Sequence, residues 1–271
     1  MRYTAHTPSG AVEFWVPDGS LSAPERDALA VEIARRDYGE AVVSLGGKEG
    51  PMPTLAEIRK SGRMPTQEEY ADFYERQANP RAGDNWTPSN QHIDTQFART
   101  QFALRHILPG MSVLELGSQD GGLTKHLIHA TGGGHVTSID IAPTYIARTA
   151  DYLDRLHLLG PGVNLEVADV STYDTRRRYD VIVAFEILEH VIDPRQVLRN
   201  VWRLLRRRSG TVLITVPDET VLDTEGEHIH ALHPSDIIQI AGESTGIRPV
   251  VWHEHVWYFA TIERGGVSYV P

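Results

Sequence analysis

The sequence predicts an α/β protein, in which a parallel sheet carries helices on both faces, preceded by a small α+β unit. Two observations support this. From about residue 95 onward, short apolar segments that suit strands alternate regularly with longer segments of helical periodicity. Before that point the alternation is absent and prolines interrupt the chain. Regular strand–helix alternation is typical of parallel strands joined by helical crossovers.

Composition and charge exclude several classes of protein. The 271 residues are 41% hydrophobic and 23% charged, which indicates a folded globular chain rather than a disordered or fibrous one. The chain contains no cysteine, which excludes disulfides, thiolate metal sites and cysteine nucleophiles. A formal net charge of −10 disfavours general binding to nucleic acid. Because the sequence shows neither a signal peptide nor the ~20-residue apolar run of a membrane helix, we expect a cytoplasmic protein without a membrane span.

Residues 1–50 are expected to form the small α+β unit. Segments 3–6 and 12–16 suit a hairpin, segment 22–38 suits a helix, and segment 41–45 suits a short strand.

Residues 51–94 contain several prolines and are predicted to be a connector. One helix is expected inside it, at 66–77, where Thr66 and Glu69 have the spacing of a capping box. The connector is either a linker or a lid over an active site. As a lid, it would use Trp86 and His92 as contact residues.

Residues 95–271 form the predicted main domain. The last two strands lie close together in sequence and suit an antiparallel hairpin at the sheet edge. The expected helices are 95–107, 122–130, 144–159, 194–206 and 234–243, and the expected strands are 112–116, 136–140, 164–168, 180–185, 211–216, 248–253 and 256–262.

A glycine-containing turn follows the first strand of this domain, in the segment VLELGSQDGG at 113–122. Glycines allow a backbone to approach a ligand closely, and the helix that follows offers free N–H donors to an anionic group. Asp140 ends the next strand, where a doubly wound fold places the acid that binds ribose hydroxyls. Asp169 follows the third strand. These features predict a nucleotide site, and the spacing E-x-G-x-x-x-G differs from the dinucleotide pattern G-x-G-x-x-G.

With this spacing and context, residues 95–263 resemble the class I S-adenosylmethionine-dependent methyltransferases. The resemblance implies a doubly wound, seven-stranded Rossmann-like sheet with a terminal hairpin, and S-adenosylmethionine as the cofactor. It also implies that Gly117 and Gly121 cradle the methionine part of the cofactor and that Glu115 orders the loop. By the same resemblance Asp140 binds the ribose diol.

The resemblance assigns the adenine end of the cofactor as well. Asp169 would bind the adenine amine, and Ile141 and Val170 would flank the adenine ring. One residue departs from the family pattern: the chain has Gln119 where the family often has glycine. Either the backbone at Gln119 stands further from the cofactor, or its amide side chain binds the cofactor. Ser118, Gln119 and Phe185 complete the expected cofactor contacts.

A second motif follows the fourth strand, where FEILEH occupies 185–190. It resembles the corresponding segment of small-molecule O-methyltransferases of the ubiquinone-biosynthesis type. Glu186, Glu189 and His190 have the spacing i, i+3, i+4, which places them on one face of a helical turn. Two carboxylates and an imidazole can bind a divalent ion such as Mg²⁺. The small-RNA 3′-terminal 2′-O-methyltransferases resemble this segment and use such residues with a later histidine for magnesium.

Later histidines in this chain that could complete the set are His228, His230 and His233. Three interpretations stay open: a catalytic metal, a metal-free general base at His190 or in the 228–233 loop, and a structural role. We take His190, Glu186 and His230 as the candidate catalytic residues.

The predicted activity is O-methylation of a small hydroxylated molecule such as a sugar, a phenol or a natural-product intermediate. The alternatives are methylation of a terminal RNA ribose and a binding protein without activity. Arginines at 176–178 and 203–208 directly precede strands, so we expect them at the amino edge of the sheet, away from the reacting methyl. Aromatic residues of the last hairpin, among them Trp252, Trp257 and Tyr258, either pack within the sheet or form a homodimer contact.

Overall fold

The structure is a computed structural model, and it describes residues 2–7, 10–15, 58, 63–78, 93–220 and 228–265. The predicted helix 22–38, the predicted strand 41–45, Trp86 and His92 lie outside these residues. The chain divides into two compact units. The first consists of Met1–Thr54 and Pro80–Asn85, and the second of Leu55–Asn79 and Trp86–Pro271. The division expected near residues 50 and 94 stays a prediction.

In the first unit, β1 (Arg2–Thr7) pairs antiparallel with β2 (Gly10–Trp15), which is the expected hairpin. The second unit contains the alternating strands and helices. None of the helices that the structure describes combines the length and apolarity needed to cross a membrane. The elements of the second unit are α1 (Gln67–Ala78), α2 (Ile93–Leu104), β3 (Ser112–Leu116), α3 (Thr124–Thr131), β4 (His135–Asp140), α4 (Pro143–Arg155), β5 (Val163–Val167), β6 (Val181–Phe185), α5 (Pro194–Leu204), β7 (Gly210–Pro217), α6 (Pro234–Thr245), β8 (Val250–Glu254) and β9 (Trp257–Arg264).

The seven strands of the second unit form one sheet in the order β5-β4-β3-β6-β7-β9-β8. The first five are parallel, and β9 runs antiparallel to both β7 and β8. This confirms the predicted doubly wound sheet with a terminal hairpin. The strand order reverses between β3 and β6, and open α/β sheets bind their ligands at such a point, beyond the carboxyl ends of the strands.

Two apolar clusters cover the two faces of the sheet. Adjacent residues of β3 enter opposite clusters because side chains alternate along a strand: Leu114 packs with α5 and α6, whereas Val113 packs with α2 and α3. Helix α5 buries one stripe, which includes Val197 and Val201. Its start is fixed by Asp193, whose side chain accepts hydrogen bonds from two backbone N–H groups of the first turn.

Three helices end earlier than the sequence indicated. Helix α2 ends at Leu104 instead of 107. Helix α4 ends at Arg155 instead of 159, because His157 takes a left-handed backbone conformation with φ 56°. The next N–H, from Leu158, then bonds back to the carbonyl of Leu153 at 2.9 Å and closes the helix. Helix α5 ends at Leu204 instead of 206 because the following residue is extended.

Helix α1 begins as its sequence predicted. The Glu69 N–H donates to the Thr66 hydroxyl at 3.2 Å, and the Thr66 N–H donates to the Glu69 carboxylate at 2.8 Å. These reciprocal bonds form the capping box. Arg63 pairs with the same carboxylate at 2.5 Å and holds the pKa of Glu69 well below its usual range. The start of α1 is therefore fixed at a single residue.

The amino ends of three neighbouring strands approach so closely that glycine is required. A Cβ on Gly134, just before β4, would lie 2.4 Å from the carbonyl oxygen of Met111, just before β3. A Cβ on Gly162, just before β5, would lie 2.6 Å from the Gly134 carbonyl oxygen. Both contacts are with backbone, so no side chain can rotate away to relieve them.

We therefore expect Gly134→Ala to lower the free energy of unfolding by about 1–3 kcal/mol, the usual cost of overpacking. Gly160→Ala is the matched control, because among the described residues no heavy atom lies within 4 Å of its added Cβ. The control should stay within ~0.5 kcal/mol of the parent. Chemical denaturation measures both values, and equal stabilities for the two variants would contradict the predicted contact.

Candidate active site

A cavity of about 750 Å³ opens at the carboxyl ends of β3, β4 and β6. Its volume lies within the ~300–1,000 Å³ that is usual for small-molecule sites. Its walls come from α1, α2, β9 and the loops after the central strands. The predicted site residues that line it are Glu115, Gly117, Ser118, Gln119, Asp140, Ile141, Asp169, Val170, Phe185, Glu186 and His190.

The loop after β3 has the backbone that its glycines suggested. Gly117 has φ 77°, and a Cβ there would lie 2.5 Å from the Ile187 side chain. Gly121 has φ 79°, and a Cβ there would lie 3.0 Å from the Thr149 methyl group. Gly121 does not itself line the cavity, although its neighbour Gly122 does. The positive φ favours glycine at both positions, and an added Cβ would also press against a neighbouring side chain.

Gln119 also has a left-handed backbone, with φ 45°, at the position where the family often has glycine. Two hydrogen bonds hold it there. Its N–H donates to Asp140 Oδ2 at 3.0 Å, and its carbonyl accepts from the Thr149 hydroxyl at 2.9 Å. A non-glycine residue is therefore accommodated because the surrounding structure fixes its backbone on both sides.

Two acids support this loop. Asp140 is 6% exposed, and its second oxygen accepts from the Ala142 N–H at 3.0 Å. Burial raises the pKa of Asp140, and its backbone hydrogen bonds oppose that rise. Glu115 is 2% exposed and accepts from the hydroxyls of Thr124 and Ser138, both at 2.6 Å. It thereby ties β3 to α3 and β4, and burial raises the pKa of Glu115 to about 7.

Asp169 lies at the other side of the cavity. One of its oxygens accepts from the Ser171 N–H at 2.8 Å and from the Ser171 hydroxyl at 2.7 Å. The other accepts from the side-chain amide of Gln67 on α1 at 2.7 Å. Helix α1 therefore reaches the acid that the resemblance assigns to adenine.

Glu186 is the first residue after β6 and has a left-handed backbone with φ 55°. Its carboxylate accepts from the Thr215 hydroxyl at 3.0 Å and lies 3.7 Å from the guanidinium of Arg99. Burial raises the pKa of Glu186, and the Arg99 charge opposes the rise. The guanidinium also lies 4.6 Å from the centre of the Trp257 ring. Because its backbone departs from the helical turn that follows, Glu186 forms a pair of its own and does not join the acids and histidines beyond it.

Glu189, His190 and His228 form a cluster in which one potential ligand atom of each residue lies within 4.8 Å of the others. Glu189 is completely buried, and neither of its oxygens has a hydrogen-bond partner among the residues that the structure describes. Its Oε1 atom lies 4.0 Å from Nε2 of His190. Burial and the nearby Glu186 charge raise the pKa of Glu189 well above its usual range.

The other two late histidines lie elsewhere. His230 Nε2 is 3.0 Å from the carbonyl oxygen of Val191, so its ring is bound to backbone and does not turn toward the cluster. His233 is the N-cap of α6 and donates its N–H to Asp236 at 2.9 Å. The structure thus brings together three of the six residues that the sequence offered as metal ligands. The position of His230 does not favour the catalytic role expected for it.

Three site residues were missed by sequence reasoning. Tyr74 on α1 places its hydroxyl 2.6 Å from His190 Nδ1. Glu219 places a carboxylate oxygen 2.6 Å from His228 Nδ1. Arg99 supplies the partly buried cation beside Glu186. Of these three, Glu219 carried a signal, because it lies two residues after β7 and strand ends of this sheet form the site.

Aromatic residues of the last hairpin pack within the sheet. Trp252 stacks on Phe259 with ring centres 5.6 Å apart and meets Phe102 edge to face at 5.2 Å. Trp257 faces the cavity. At the opposite edge of the sheet, Arg206 pairs with Asp180 at 2.9 Å, consistent with the amino-edge location expected for that arginine cluster.

Comparison with known proteins identifies the family. A family model described as "Methyltransferase domain" matches residues 67–248, so the chain belongs to that family. Together with its sheet order, this makes it a class I S-adenosylmethionine-dependent methyltransferase.

Two curated relatives are named ubiquinone biosynthesis O-methyltransferase. The one from Aeromonas salmonicida (strain A449) is 33% identical over 111 residues, which cover 40% of this chain and 44% of the relative. The one from Coxiella burnetii (strain Dugway 5J108-111) is 27% identical over 189 residues, 62% of this chain and 78% of the relative. The match thus spans less than half the length of the Aeromonas protein.

Solved structures share the fold. A SAM-dependent methyltransferase from Aquifex aeolicus has a TM-score of 0.52 at 17% identity, covering 60% of this chain and 88% of its own. The magnesium protoporphyrin IX methyltransferase from Synechocystis PCC 6803, crystallised with S-adenosylhomocysteine, has a TM-score of 0.56 at 16% identity. The match covers 73% of this chain and 100% of the Synechocystis chain. At these identities the likeness is one of fold.

If Asp140 accepts from two ribose hydroxyls, as the resemblance implies, Asp140→Ala is expected to weaken binding of S-adenosylhomocysteine roughly 10- to 150-fold, because it removes that acceptor. Calorimetry on folded protein measures the change. Asp151→Ala is the control, since that aspartate is exposed on α4 and pairs only with Arg155 among the described residues. Unchanged affinity in a folded Asp140→Ala variant would contradict the assignment.

Glu115→Gln is expected to change how stability depends on pH. The native pKa of about 7 lies above the ordinary value of 4.5, so Glu115 binds its proton more tightly in the folded state. Its contribution is therefore complete below about pH 4.5 and is lost as the pH rises through about 7. Denaturation across that range should show the wild type losing stability relative to the variant, and parallel profiles would refute the shift.

Proposed function

We propose that the protein transfers the methyl group of S-adenosylmethionine to a hydroxyl oxygen of a small molecule, assisted by a divalent cation held by Glu189, His190 and His228. One observation carries the proposal. Glu189 is a wholly buried carboxylate that faces two imidazoles, of which His190 lines the cavity, and it has no hydrogen-bond partner within the described part of the chain. A buried charge without a partner costs several kcal/mol, and a cation at this point would remove that cost.

The surroundings of both histidines fit a metal site. In each ring Nδ1 is hydrogen-bonded at 2.6 Å, by Tyr74 in His190 and by Glu219 in His228. Metal-binding histidines typically use one ring nitrogen for the ion and the other for such a partner. Two nitrogen donors and one oxygen donor suit a borderline ion such as Zn²⁺ better than a hard ion such as Mg²⁺.

Residues around the rest of the cavity fit the cofactor. Asp140 would hold the ribose and Asp169 the adenine amine, as the resemblance implies. Gly117 has the positive φ of 77° that glycine adopts readily, and without a side chain there the loop backbone can approach the methionine part. Arg99 offers a partly buried cation for the methionine carboxylate. This arrangement leaves the acid–histidine end for the methyl acceptor.

The chemistry needs little more than positioning. A lone pair of the acceptor oxygen forms the new C–O bond while the C–S bond breaks, and its electrons stay on sulfur to give S-adenosylhomocysteine. The acceptor proton must leave during or before attack. A cation held by Glu189, His190 and His228 would lower the pKa of the hydroxyl, so that its proton could pass to solvent. Without the cation, Nε2 of His190 would be the base that receives the proton. The printed names of the curated relatives support oxygen as the acceptor atom.

The test is transfer of a labelled methyl group from S-adenosylmethionine to a panel of catechols, matched monophenols, sugars and amines. We expect O-methylated product, greatest with catechols, whose adjacent hydroxyls can chelate one ion. Mass spectrometry locates the new methyl group. Methylation confined to amines would overturn the proposal.

Removing the ion separates its role from that of the cofactor. After chelation, turnover of the best acceptor should fall at least ~10-fold while affinity for S-adenosylhomocysteine stays within ~2-fold, because the ion would contact the acceptor and not the adenosine. Added Zn²⁺ or Mn²⁺ should restore the activity of the wild type but not of Glu189→Gln. If chelation has no effect and His190→Ala lowers turnover ~10²–10⁴-fold, His190 acts as a base without a metal.

A further inference from the structure

Helix α1 contributes a hydroxyl to the acceptor end of the site. The Tyr74 oxygen lies 2.6 Å from His190 Nδ1, and the two rings meet edge to face with centres 5.7 Å apart. The helix is held in place at two further points. Gln67 bonds to Asp169 at 2.7 Å, and Glu75 accepts from the Thr144 N–H, at the start of α4, at 3.1 Å. Tyr74 therefore approaches His190 from a fixed support.

A neighbouring tyrosine lies beside the hydroxyl that contacts His190. Tyr70 is one turn earlier on α1, is 8% exposed, and has its ring centre 4.9 Å from that of Tyr74. A phenol hydroxyl can donate one hydrogen bond and accept another. Tyr74 can therefore donate to Tyr70 while its oxygen accepts a proton from His190 Nδ1.

We propose that Tyr74 is a positioning residue that holds His190 in the tautomer protonated at Nδ1, with the lone pair of Nε2 directed toward Glu189 and the acceptor. The inference rests on the proposed function, in which Nε2 either binds a cation or receives the acceptor proton. Both roles require Nε2 to be unprotonated. The Tyr74 hydroxyl would therefore have the same positioning role whether Nε2 binds a cation or receives a proton.

The tautomer can be measured without metal or acceptor. Nitrogen chemical shifts of ¹⁵N-labelled His190, recorded on the metal-free protein at a pH where the imidazole is neutral, report which nitrogen carries the proton. We expect Nδ1–H in the wild type and a shift toward Nε2–H in Tyr74→Phe, which keeps the ring and loses the hydroxyl. Wild-type protein in the Nε2–H form, or a Tyr74→Phe spectrum identical to wild type, would overturn the proposal.

Two further variants separate hydrogen bonding from packing. Phe73→Leu alters the ring that meets Tyr74 edge to face at 5.2 Å but keeps the Tyr74 hydroxyl, so His190 should keep its tautomer. Tyr70→Phe removes the acceptor of the Tyr74 proton and lets that proton turn toward His190. It should therefore increase the Nε2–H form although Tyr70 itself is not the bonded partner of His190. The opposite pattern, a response to Phe73→Leu alone, would indicate packing and sink the inference.

Metal binding and turnover distinguish failure of this inference from failure of the proposed function. Tyr74→Phe should weaken Zn²⁺ binding ~10- to 100-fold, the usual effect of losing a partner of a ligating histidine, with unchanged affinity for S-adenosylhomocysteine. In the methyl-transfer assay it should lower turnover in the wild-type background and have no further effect in a His190→Asn background. If His190→Asn lowers turnover but Tyr74→Phe does not, only the role of Tyr74 is wrong. If neither change matters, the role proposed for His190 fails as well.

Discussion

The site depends on the point at which the strand order reverses, between β3 and β6. To one side the chain winds through β4 and β5, and to the other through β7 and the terminal hairpin, so the crossover helices diverge above this gap. The carboxyl ends of the central strands consequently open into the cavity. Asp140, Asp169, Glu186 and Glu219 lie at or within two residues of the ends of four parallel strands, although almost 80 residues separate the first from the last.

Three glutamates near the site show how differently the protein satisfies the same group. Glu115, which is buried, receives two hydroxyl hydrogen bonds, and the partly exposed Glu186 has a hydroxyl and the Arg99 cation as partners. Glu189, the most enclosed of the three, has no hydrogen-bond partner within the ranges that the structure describes. Because buried polar groups normally have such partners, this difference supports the proposed cation beside Glu189.

The sequence predicted the strands and the acids at their ends because both follow from local rules. Apolar runs fix the buried strands, and the parallel arrangement then places Asp140 and Asp169 at one edge. Contacts between distant segments carry no such signal: Tyr74 and His190 are 116 positions apart, and no spacing rule links them. Loop histidines were equally unpredictable, because alternation along an extended segment does not reveal that the His230 ring bonds to backbone. The end of α4 differed from the predicted one because a single residue, His157, has a left-handed backbone conformation that the sequence pattern does not reveal.

Helix α1 links the two ends of the cavity in a way that neither motif reveals. Gln67 bonds to the acid assigned to adenine, and seven residues later Tyr74 bonds to the histidine assigned to the acceptor. Seven residues are close to two helical turns, so both side chains lie on one face of α1 and that face must dock as a unit. Placement of α1 therefore fixes the hydrogen-bond partners of Asp169 and His190 together. A helix that sits outside the sheet thus helps to determine the state of the residues at its edge. The match to the family model begins at residue 67, well before the first strand of the sheet, and therefore includes this helix.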